Sequence, residues 1–250
     1  MEFRLDQDSL GKVKIPADAY YGAFTGRAIK QYHVTGNKSH KNLIDAFVMI
    51  KRSAAVANMK TKAIDVKRGK AIVSACDKIL AGKFIDQFVV DMINSGAGAA
   101  FNMNTNEVIS NVALEVLHKK KGQHEFLHPN DHVNKSQSTN DVFPTAMHIS
   151  IAQETINKLL PNLKILEKEL KKKIKEFVVS LKKPYLGFCL GCQLLGEVVG
   201  GKVVQSKTPE IGIMDINFSK EKDNDILFTA FPEKIQSLQW HSYEVDGLDN

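Results

Sequence analysis

Hydrophobic and polar positions follow a helical period over most of the first two thirds of the chain. Over 42–60 and again over 65–82, apolar residues recur at the three- and four-residue spacing of amphipathic helices. Asn42 is the candidate N-cap of the first helix, and Gly82 is the candidate C-cap of the second. These two segments therefore predict a helical core.

The segments around these helices follow other patterns. Residues 1–36 combine short extended stretches with turn residues, which predicts small β elements. A run of small residues opens the segment 95–120 and leads into a further helix pattern. The segment 146–177 predicts one long helix that bends at Pro161.

The period changes after Phe177. A loop and a short buried strand are predicted before Cys189, followed by a helix and then by short strands and turns over 211–245. Alternating α and β units are typical of a different fold class from the long helices before them. We therefore predict a boundary near 177–183, which divides the chain into 1–177 and 178–250.

Composition and charge exclude several classes of protein. The 250 residues are 43% hydrophobic and 25% charged, as in ordinary globular proteins. The net charge of +6 comes from scattered lysines in the first part, and the dense run 168–177 is typical of a solvated helix end, so we predict no nucleic-acid partner. No apolar run approaches the roughly 18 residues of a membrane span, and no signal peptide is evident. Three cysteines are too few for a disulfide framework, so a cytoplasmic protein without membrane partners is expected.

Two polar segments are candidates for chemistry. Residues 96–100 form a small-residue turn before a helix, where backbone N–H groups can face an anion. Residues 136–141 ("SQSTND") offer hydroxyl and amide groups that can hold a carboxylate through neutral hydrogen bonds. The alternative is that these side chains only cap helices and close turns. The density of polar groups from 128 to 141 favours binding, because such a segment is costly to bury unless its groups are used.

Three segments resemble the aspartase/fumarase superfamily, in its order and at its spacing. They are "IPADAYYGAFTGRAI" (15–29), "GAGAAFNMNTNEV" (96–108) and "HPNDHVNKSQSTND" (128–141). The resemblance covers 1–177. Within it, "NMNTNEV" and "KSQSTND" are more similar to aspartate ammonia-lyase, whereas "PTAMHI" (144–149) is more similar to class II fumarase.

The resemblance implies a lyase that removes a proton next to a carboxylate while a leaving group departs from the neighbouring carbon. The dianionic intermediate needs preorganised donors. Implied are a small dicarboxylate substrate (aspartate or fumarate), no cofactor, no metal, and a homotetramer whose central bundle includes the long helix. The substrate-binding residues implied are Ser138, Thr139, Asn140, Gly98, Ala99 and Asn104. A second anion site is implied at His128, Asn130 and Asp131.

The chain departs from the family pattern in two ways. Ala99 and Ala100 stand where the family has hydroxyl residues, and losing a hydrogen bond to a charged group costs on the order of 2–3 kcal/mol. The 250 residues also contain no "GRTHLQDA"-like segment and no "GSSxMPxKxNP"-like loop with its catalytic serine. We therefore expect a truncated lyase that is inactive alone or that needs a full-length partner.

The segment "LGFCLGCQLLGEVVGG" (186–201) predicts a strand, a sharp turn and a helix, with the thiol of Cys189 at the turn. This is the arrangement of a nucleophile elbow, in which the N–H of Leu190 can face an oxyanion. Alternatives are a redox pair or half a zinc site with Cys192. For Cys192 itself we expect a buried, unreactive thiol.

A second resemblance involves "KPYLGFCLGCQLLGEVVGGKVV" (183–204), "PEIG" (209–212) and "LQWHSYEV" (238–245). These are similar to class I glutamine amidotransferases over 178–250. The resemblance implies Cys189 as nucleophile, Leu190 as oxyanion donor and a partial doubly wound, flavodoxin-like fragment. No segment resembles the family's "HPE" sequence. His241 is a candidate substitute base, but with Trp240 it matches an earlier Trp-His motif of the family that is not the catalytic one, so we expect Cys189 to lack its base.

The predicted fold class is therefore mixed, a mainly α lyase lobe with a long bundle helix followed by a partial α/β fragment. Aspartate ammonia-lyase is the predicted function. A glutaminase, a fumarate hydratase and a non-catalytic dicarboxylate-binding fragment remain as alternatives.

Overall fold

The computed structural model describes residues 2–94, 96–180 and 185–248. The chain divides into two compact units, Met1–Pro161 and Asn162–Asn250. Positions 181–184 lie outside the described residues, and they include the end of the predicted boundary, 181–183. In the described part of the chain, no helix is long and apolar enough to cross a membrane.

The first unit is a β-hairpin followed by helices. Strands β1 (Phe3–Asp8) and β2 (Gly11–Pro16) pair antiparallel, with Phe3 opposite Pro16. The α-helices that follow are α1 (Ala23–Gln31), α2 (Lys41–Lys60), α3 (Val66–Leu80), α4 (Ala99–Val116) and α5 (Thr139–Glu154). A 3-10 turn spans Ile85–Gln87, and a π turn spans Pro129–Val133.

The main core lies between α2, α3 and α4. The periodic apolar positions of these helices supply it, as the sequence predicted, including Val48, Ile72, Ile79, Val108, Ile109 and Leu114. A smaller cluster joins α2 to α5 through Phe47, Val142 and Ala146. The helical character predicted for this part of the chain is therefore confirmed.

The helix ends partly follow the predicted caps. The N-cap of α2 is His40, whose Nδ1 accepts from the N–H of Asn42 at 3.4 Å, so the prediction of Asn42 as N-cap is wrong. A ring nitrogen can accept the orphan N–H as a hydroxyl does, which lets the helix begin earlier. Gly82 follows α3 with φ +90°, close to its predicted capping position.

Helix α4 buries a row of polar side chains, and Glu107 is the most constrained of them. Its carboxylate accepts from the backbone N–H groups of Gly22 (2.9 Å), Phe24 (2.8 Å) and Thr25 (3.1 Å). These groups belong to the start of α1, so a side chain of α4 takes the place of a local cap for α1. Burial raises the pKa of Glu107, against the opposing effect of these hydrogen bonds.

Two further residues of α4 fix loops. Asn111 donates to the carbonyl of Tyr20 at 2.7 Å and accepts from the N–H of Gly122 at 2.8 Å. Ser110 donates to the carbonyl of Leu127 at 2.7 Å. The polar side chains of α4 therefore hold in place the segment before α1, at Tyr20, and the loop after α4, at Gly122 and Leu127.

A buried charged cluster ties the hairpin to the loop after α4. His124 Nε2 lies 2.8 Å from a carboxylate oxygen of Asp6, and Arg4 pairs with the other oxygen at 3.3 Å. Burial acts to lower the pKa of His124, but the hydrogen bond and attraction to Asp6 outweigh it and raise this pKa overall. Burial acts to raise the pKa of Asp6, but His124, the N–H of Gln7 and Arg4 together lower it.

The predicted long helix is found as a helical run that is interrupted before Pro161. Helix α5 passes into a π turn (Thr155–Leu159) and then into α6 (Leu160–Ser180). Proline lacks an N–H and its ring crowds the preceding turn, and a wider π turn accommodates both. The irregularity therefore lies one turn earlier than the proline that causes it.

The second unit contains α6 from Asn162 onward, helix α7 (Leu190–Val198) and two long strands. Strands β3 (Lys202–Asn217) and β4 (Lys234–Asp246) pair antiparallel, with a register shift between Gln205 and Glu210. Several short strands were predicted here, and two long ones are found. A doubly wound fold requires parallel strands, so the flavodoxin-like fragment is not confirmed for the described residues.

We expect Glu107→Leu to destabilise the first unit by roughly 3 kcal/mol or more, because three N–H groups, two of them in buried hydrogen bonds, lose their acceptor. Glu107→Gln retains one acceptor oxygen and should cost less. Glu125, an exposed carboxylate, offers a matched control, and Glu125→Leu should change stability by about 0.5 kcal/mol at most. Urea unfolding followed by circular dichroism measures all three. Equal midpoints for Glu107→Leu and Glu125→Leu would contradict the capping role.

The Asp6–His124 pair should make stability depend on pH in two directions. Since the His124 pKa is raised above its ordinary 6.5, its contribution is full below pH 6.5 and is lost as pH rises through the folded value. Since the Asp6 pKa is lowered from 3.8, its contribution is present above pH 3.8 and is lost as pH falls through the folded value. We expect His124→Gln to flatten the alkaline decline in unfolding free energy. The exposed His33 gives the control, His33→Gln, and equal slopes in both variants would contradict this assignment.

Candidate functional site

The first predicted loop forms a tight turn into α4. Gly96, Ala97 and Gly98 all have positive φ, at +73°, +47° and +87°. A Cβ on Gly98 would lie 2.2 Å from the ring of Phe143 on α5, so only glycine fits there. The N-terminus of α4, with Gly98 and Ala99, is therefore pressed against the first turns of α5.

The second predicted loop forms the start of α5. Ser138 is the N-cap, and its hydroxyl accepts from the N–H of Asn140 at 3.3 Å. Ser138 and Asn140 are exposed, and Thr139 is half-buried. The helix N-terminus carries partial positive charge, which suits an anionic ligand.

Asn102 of α4 joins the two loops. Its side-chain nitrogen donates to the hydroxyl of Thr139 at 3.0 Å and to Oδ1 of Asn134 at 3.2 Å. The structure therefore brings together two of the predicted segments, the N-terminal end of α4 and the N-terminal end of α5. Asn102 was not among the predicted site residues.

Asn104 lies on the other side of α4 and is 1% exposed. Its oxygen accepts from the N–H of Val89 at 3.0 Å, and its nitrogen donates to the carbonyl of Gln87 at 3.1 Å. Both polar atoms are thus engaged with backbone groups in this structure. The substrate-binding role predicted for Asn104 remains a prediction.

The residues of the predicted second anion site lie together at the π turn. Nδ1 of His128 accepts from the N–H groups of Asn130 and Asp131, each at 3.2 Å. This fixes the tautomer, because a nitrogen that accepts two N–H groups carries no proton, so Nε2 is the donor of the neutral ring. Burial lowers the pKa of His128, partly offset by Asp131, which lies 3.4 Å away.

His128 and Asn130 border a cavity of about 750 Å³ that also includes His124. Carboxylates of Asp6 and Glu107 also line it, and both are engaged by the partners described above. The lining therefore combines apolar side chains with carboxylates and with the rings of His124 and His128.

Lys51, on α2, is a buried residue that the sequence analysis did not select. It is 0% exposed, and its Nζ donates to Oδ1 of Asn134 at 2.7 Å. The sequence does indicate that Lys51 is buried, because it falls on the same helical face as Phe47, Val48 and Ala55, which are all buried. A lysine at a core position of an amphipathic helix predicts an internal polar partner.

In the second unit, Cys189 has the backbone geometry of a strained turn. Its φ and ψ are +49° and −115°, immediately before α7. A Cβ on Gly187 would lie 2.4 Å from the carbonyl carbon of Gly191, so the chain folds tightly back at this point. Residues 185–188 have no regular structure, so the prediction of a strand before Cys189 is wrong.

Cys189 and His241 both line a cavity of about 720 Å³ in the second unit. His241 Nε2 lies 3.1 Å from a carboxylate oxygen of Glu210 and 2.9 Å from Oε1 of Gln239. Leu190, the predicted oxyanion donor, begins α7 and is exposed. Cys192 is also exposed, so the expectation of a buried thiol there is wrong. Helix α7 has nine residues, of which Gly196 is the buried one, so the Cys192 side chain lies outside the packed face of the helix.

Comparison with known proteins supports two resemblances of unequal extent. The sequence model of a lyase family matches residues 11–185, and that of class I glutamine amidotransferases matches residues 161–250. An aspartate ammonia-lyase from Bacillus subtilis is 40% identical over 255 aligned positions, which cover 99% of this chain and 53% of the relative. A class II fumarate hydratase from Campylobacter jejuni is 45% identical, over 71% of this chain and 38% of its own length.

Solved structures agree with the lyase resemblance. A fumarate lyase (delta crystallin) from Brucella melitensis superposes with a TM-score of 0.69 at 42% identity, over 71% of this chain and 41% of that chain. The chain thus spans 38% to 53% of the length of the two curated relatives described. Because the lyase family matches most of the chain, and the fold agrees, the chain belongs to the aspartase/fumarase superfamily of lyases.

Proposed function

We propose that residues 1–177 carry the carboxylate-binding part of an aspartate ammonia-lyase-type site. The observation that carries this proposal is the junction of α4 and α5, where Asn102 donates to the hydroxyl of Thr139 at 3.0 Å. This hydrogen bond uses a lone pair of the hydroxyl and leaves its proton free to be donated outward. Thr139 can therefore act as a donor to a carboxylate.

The surroundings of Thr139 suit a dianion. The exposed side chains of Ser138 and Asn140 add neutral donors, and the first turn of α5 adds the positive end of a helix. Neutral donors can bind a carboxylate and then strengthen as charge builds up on it during proton removal. Gly98 and Ala99 lie close to the same region, because Gly98 packs against Phe143 of α5.

Aspartate is preferred over malate as substrate for two reasons. The segments "NMNTNEV" and "KSQSTND" are more similar to aspartate ammonia-lyases than to class II fumarases, and the Bacillus subtilis relative bears the former name. Fumarate hydratases are similar over the same residues, so fumarate is the ligand expected for either activity, ammonia-lyase or hydratase.

We also propose that these 250 residues bind the dicarboxylate without completing the elimination. Proton removal requires a positioned base, and the sequence contains no segment like the serine loop of the family. Ala99 and Ala100 further remove two hydroxyl groups. Assembly with a full-length relative into a tetramer would supply the missing groups, and the exposed apolar side chains of α6, including Leu163, Leu166, Leu170 and Phe177, favour such assembly.

The predicted division into 1–177 and 178–250 is proposed as the domain boundary. The two family matches overlap over 161–185, and this overlap includes the predicted boundary near 177–183. Under this proposal α6 belongs to the lyase part.

We expect fumarate and aspartate to bind the chain and Thr139→Val to weaken binding about tenfold, the effect of losing one hydrogen bond to a charged group. Isothermal titration calorimetry measures the affinity. Thr208→Val, at an exposed threonine of β3, is the matched control and should bind as the unmodified chain does. Absence of binding would contradict the proposed site, and release of fumarate from aspartate well above background would contradict the proposed inactivity.

A second candidate function, glutamine hydrolysis, rests on the φ of +49° at Cys189 and on the amidotransferase match over 161–250. It predicts ammonia release from glutamine that Cys189→Ser abolishes and Cys192→Ser leaves unchanged. An enzyme-coupled ammonia assay decides this, and absence of release from the unmodified chain would exclude the candidate.

A further inference from the structure

Lys51 is a fully buried lysine without a carboxylate partner among the described residues. It lies on the core face of α2, where its Nζ donates to Oδ1 of Asn134 at 2.7 Å. Burial lowers its pKa to about 7. A buried, unpaired lysine is costly and is usually kept for a purpose beyond packing.

The groups around Lys51 do not neutralise it. Cys76, on α3, is buried as well, and burial raises the pKa of its thiol to about 12, so the thiol is neutral. Arg52 and Asp77, next to these two residues, pair with each other at 2.6 Å. The side chain of Asn134 is a neutral amide. The charge of Lys51 is therefore not balanced within its own surroundings.

A continuous chain of hydrogen bonds leads from Lys51 to Thr139. Oδ1 of Asn134 accepts from Lys51 and also from Nδ2 of Asn102, at 3.2 Å. Nδ2 of Asn102 carries two hydrogens, and the second is donated to the hydroxyl of Thr139 at 3.0 Å. In this chain, the hydrogen bond from Lys51 orients the Asn134 amide, and Asn134 in turn orients the Asn102 amide that donates to Thr139.

The loop that carries Asn134 is held by α2 as well. Asn58, two turns after Lys51, donates to the carbonyl of Lys135 at 2.8 Å. Nδ2 of Asn134 donates to the carbonyl of Gln137 at 3.2 Å. The Asn134 amide is thus constrained at both ends, and rotating it would break bonds on both sides.

We propose that Lys51 is a positioning residue for the carboxylate site, and that it holds Asn134 and Asn102 so that the Thr139 hydroxyl presents its proton to the ligand. The inference rests on the proposed function for what the ligand is, a small dicarboxylate. Lys51 contacts the ligand only through this chain of amides. Its charge nevertheless favours a dianion, because electrostatic attraction acts over longer distances in a poorly solvated interior.

Two consequences separate this role from a merely structural one. An anion bound at Thr139 favours the charged form of Lys51, so binding near neutral pH should be accompanied by proton uptake. In the ligand-free protein, the ionisation of Lys51 should be felt at the side-chain NH₂ groups of Asn134 and Asn102, because the hydrogen-bond chain connects them.

The first measurement needs no ligand. We expect the side-chain NH₂ resonances of Asn102 and Asn134 to shift with pH around neutrality in the unmodified chain and to stay constant in Lys51→Met. Lys60→Met, at an exposed lysine at the end of α2, is the matched control and should retain the shifts. Resonances that do not respond to pH in the unmodified chain would overturn the inference.

The second measurement is calorimetric titration of fumarate in two buffers that differ in ionisation enthalpy. We expect Lys51→Met to bind about tenfold more weakly and without proton uptake, whereas Lys60→Met binds as the unmodified chain does. Equal affinity and equal proton uptake in Lys51→Met would overturn the inference while leaving the proposed function intact. If fumarate does not bind but the resonances of Asn102 and Asn134 titrate through Lys51, the positioning role stands and only the proposed ligand is wrong. Should Lys51→Met not fold, Asn134→Ser breaks the same chain and is expected to remove the pH response at Asn102.

Discussion

The structure of the first unit depends on the requirement that a polar group buried in the core must find a hydrogen-bond partner. Helix α4 passes through the core and yet carries asparagine, serine and glutamate on its buried faces. Glu107 engages the N-terminal turn of α1, and Asn111 joins two segments on either side of the helix. The positions of these loops are therefore determined by hydrogen bonds to the buried polar side chains of α4, as well as by the loops' own turn residues.

The same requirement places the candidate site. Asn104 satisfies both of its polar atoms with backbone groups, and it stabilises the chain around Val89. Asn102 instead bonds to side chains, those of Asn134 and Thr139, and these continue toward the surface. About half a turn of helix thus separates an asparagine that serves the fold from one that connects the core to a ligand-facing hydroxyl.

Sequence periodicity was sufficient for the helices of the first unit, because their apolar stripes determine which face is buried. It was insufficient for Lys51, since a charged residue is ordinarily assigned to the surface and its partner, Asn134, lies 83 positions away. The meeting of the two polar loops followed from their family resemblance, whereas the residue that joins them, Asn102, required the structure. The long strands β3 and β4 were missed because pairing between residues as distant as Lys202 and Asp246, rather than local pattern, determines their length.

The two units differ in how much apolar surface they leave exposed to water. This difference bears on which unit can hold a binding site rigidly. In the second unit, opposite residues of β3 and β4 form apolar pairs, Ile211 with Trp240 and Ile213 with Leu238, whose side chains are all more than half exposed. A two-stranded sheet with an uncovered apolar face is at best marginally stable in water.

The first unit has a closed core and buried polar groups with defined partners, and a carboxylate site of fixed donors requires this rigidity. A thiol at a strained turn, such as that of Cys189, also depends on its supporting layer to remain in place. The chemistry of this chain is therefore best sought where its polar groups are already held, at the junction of α4 and α5.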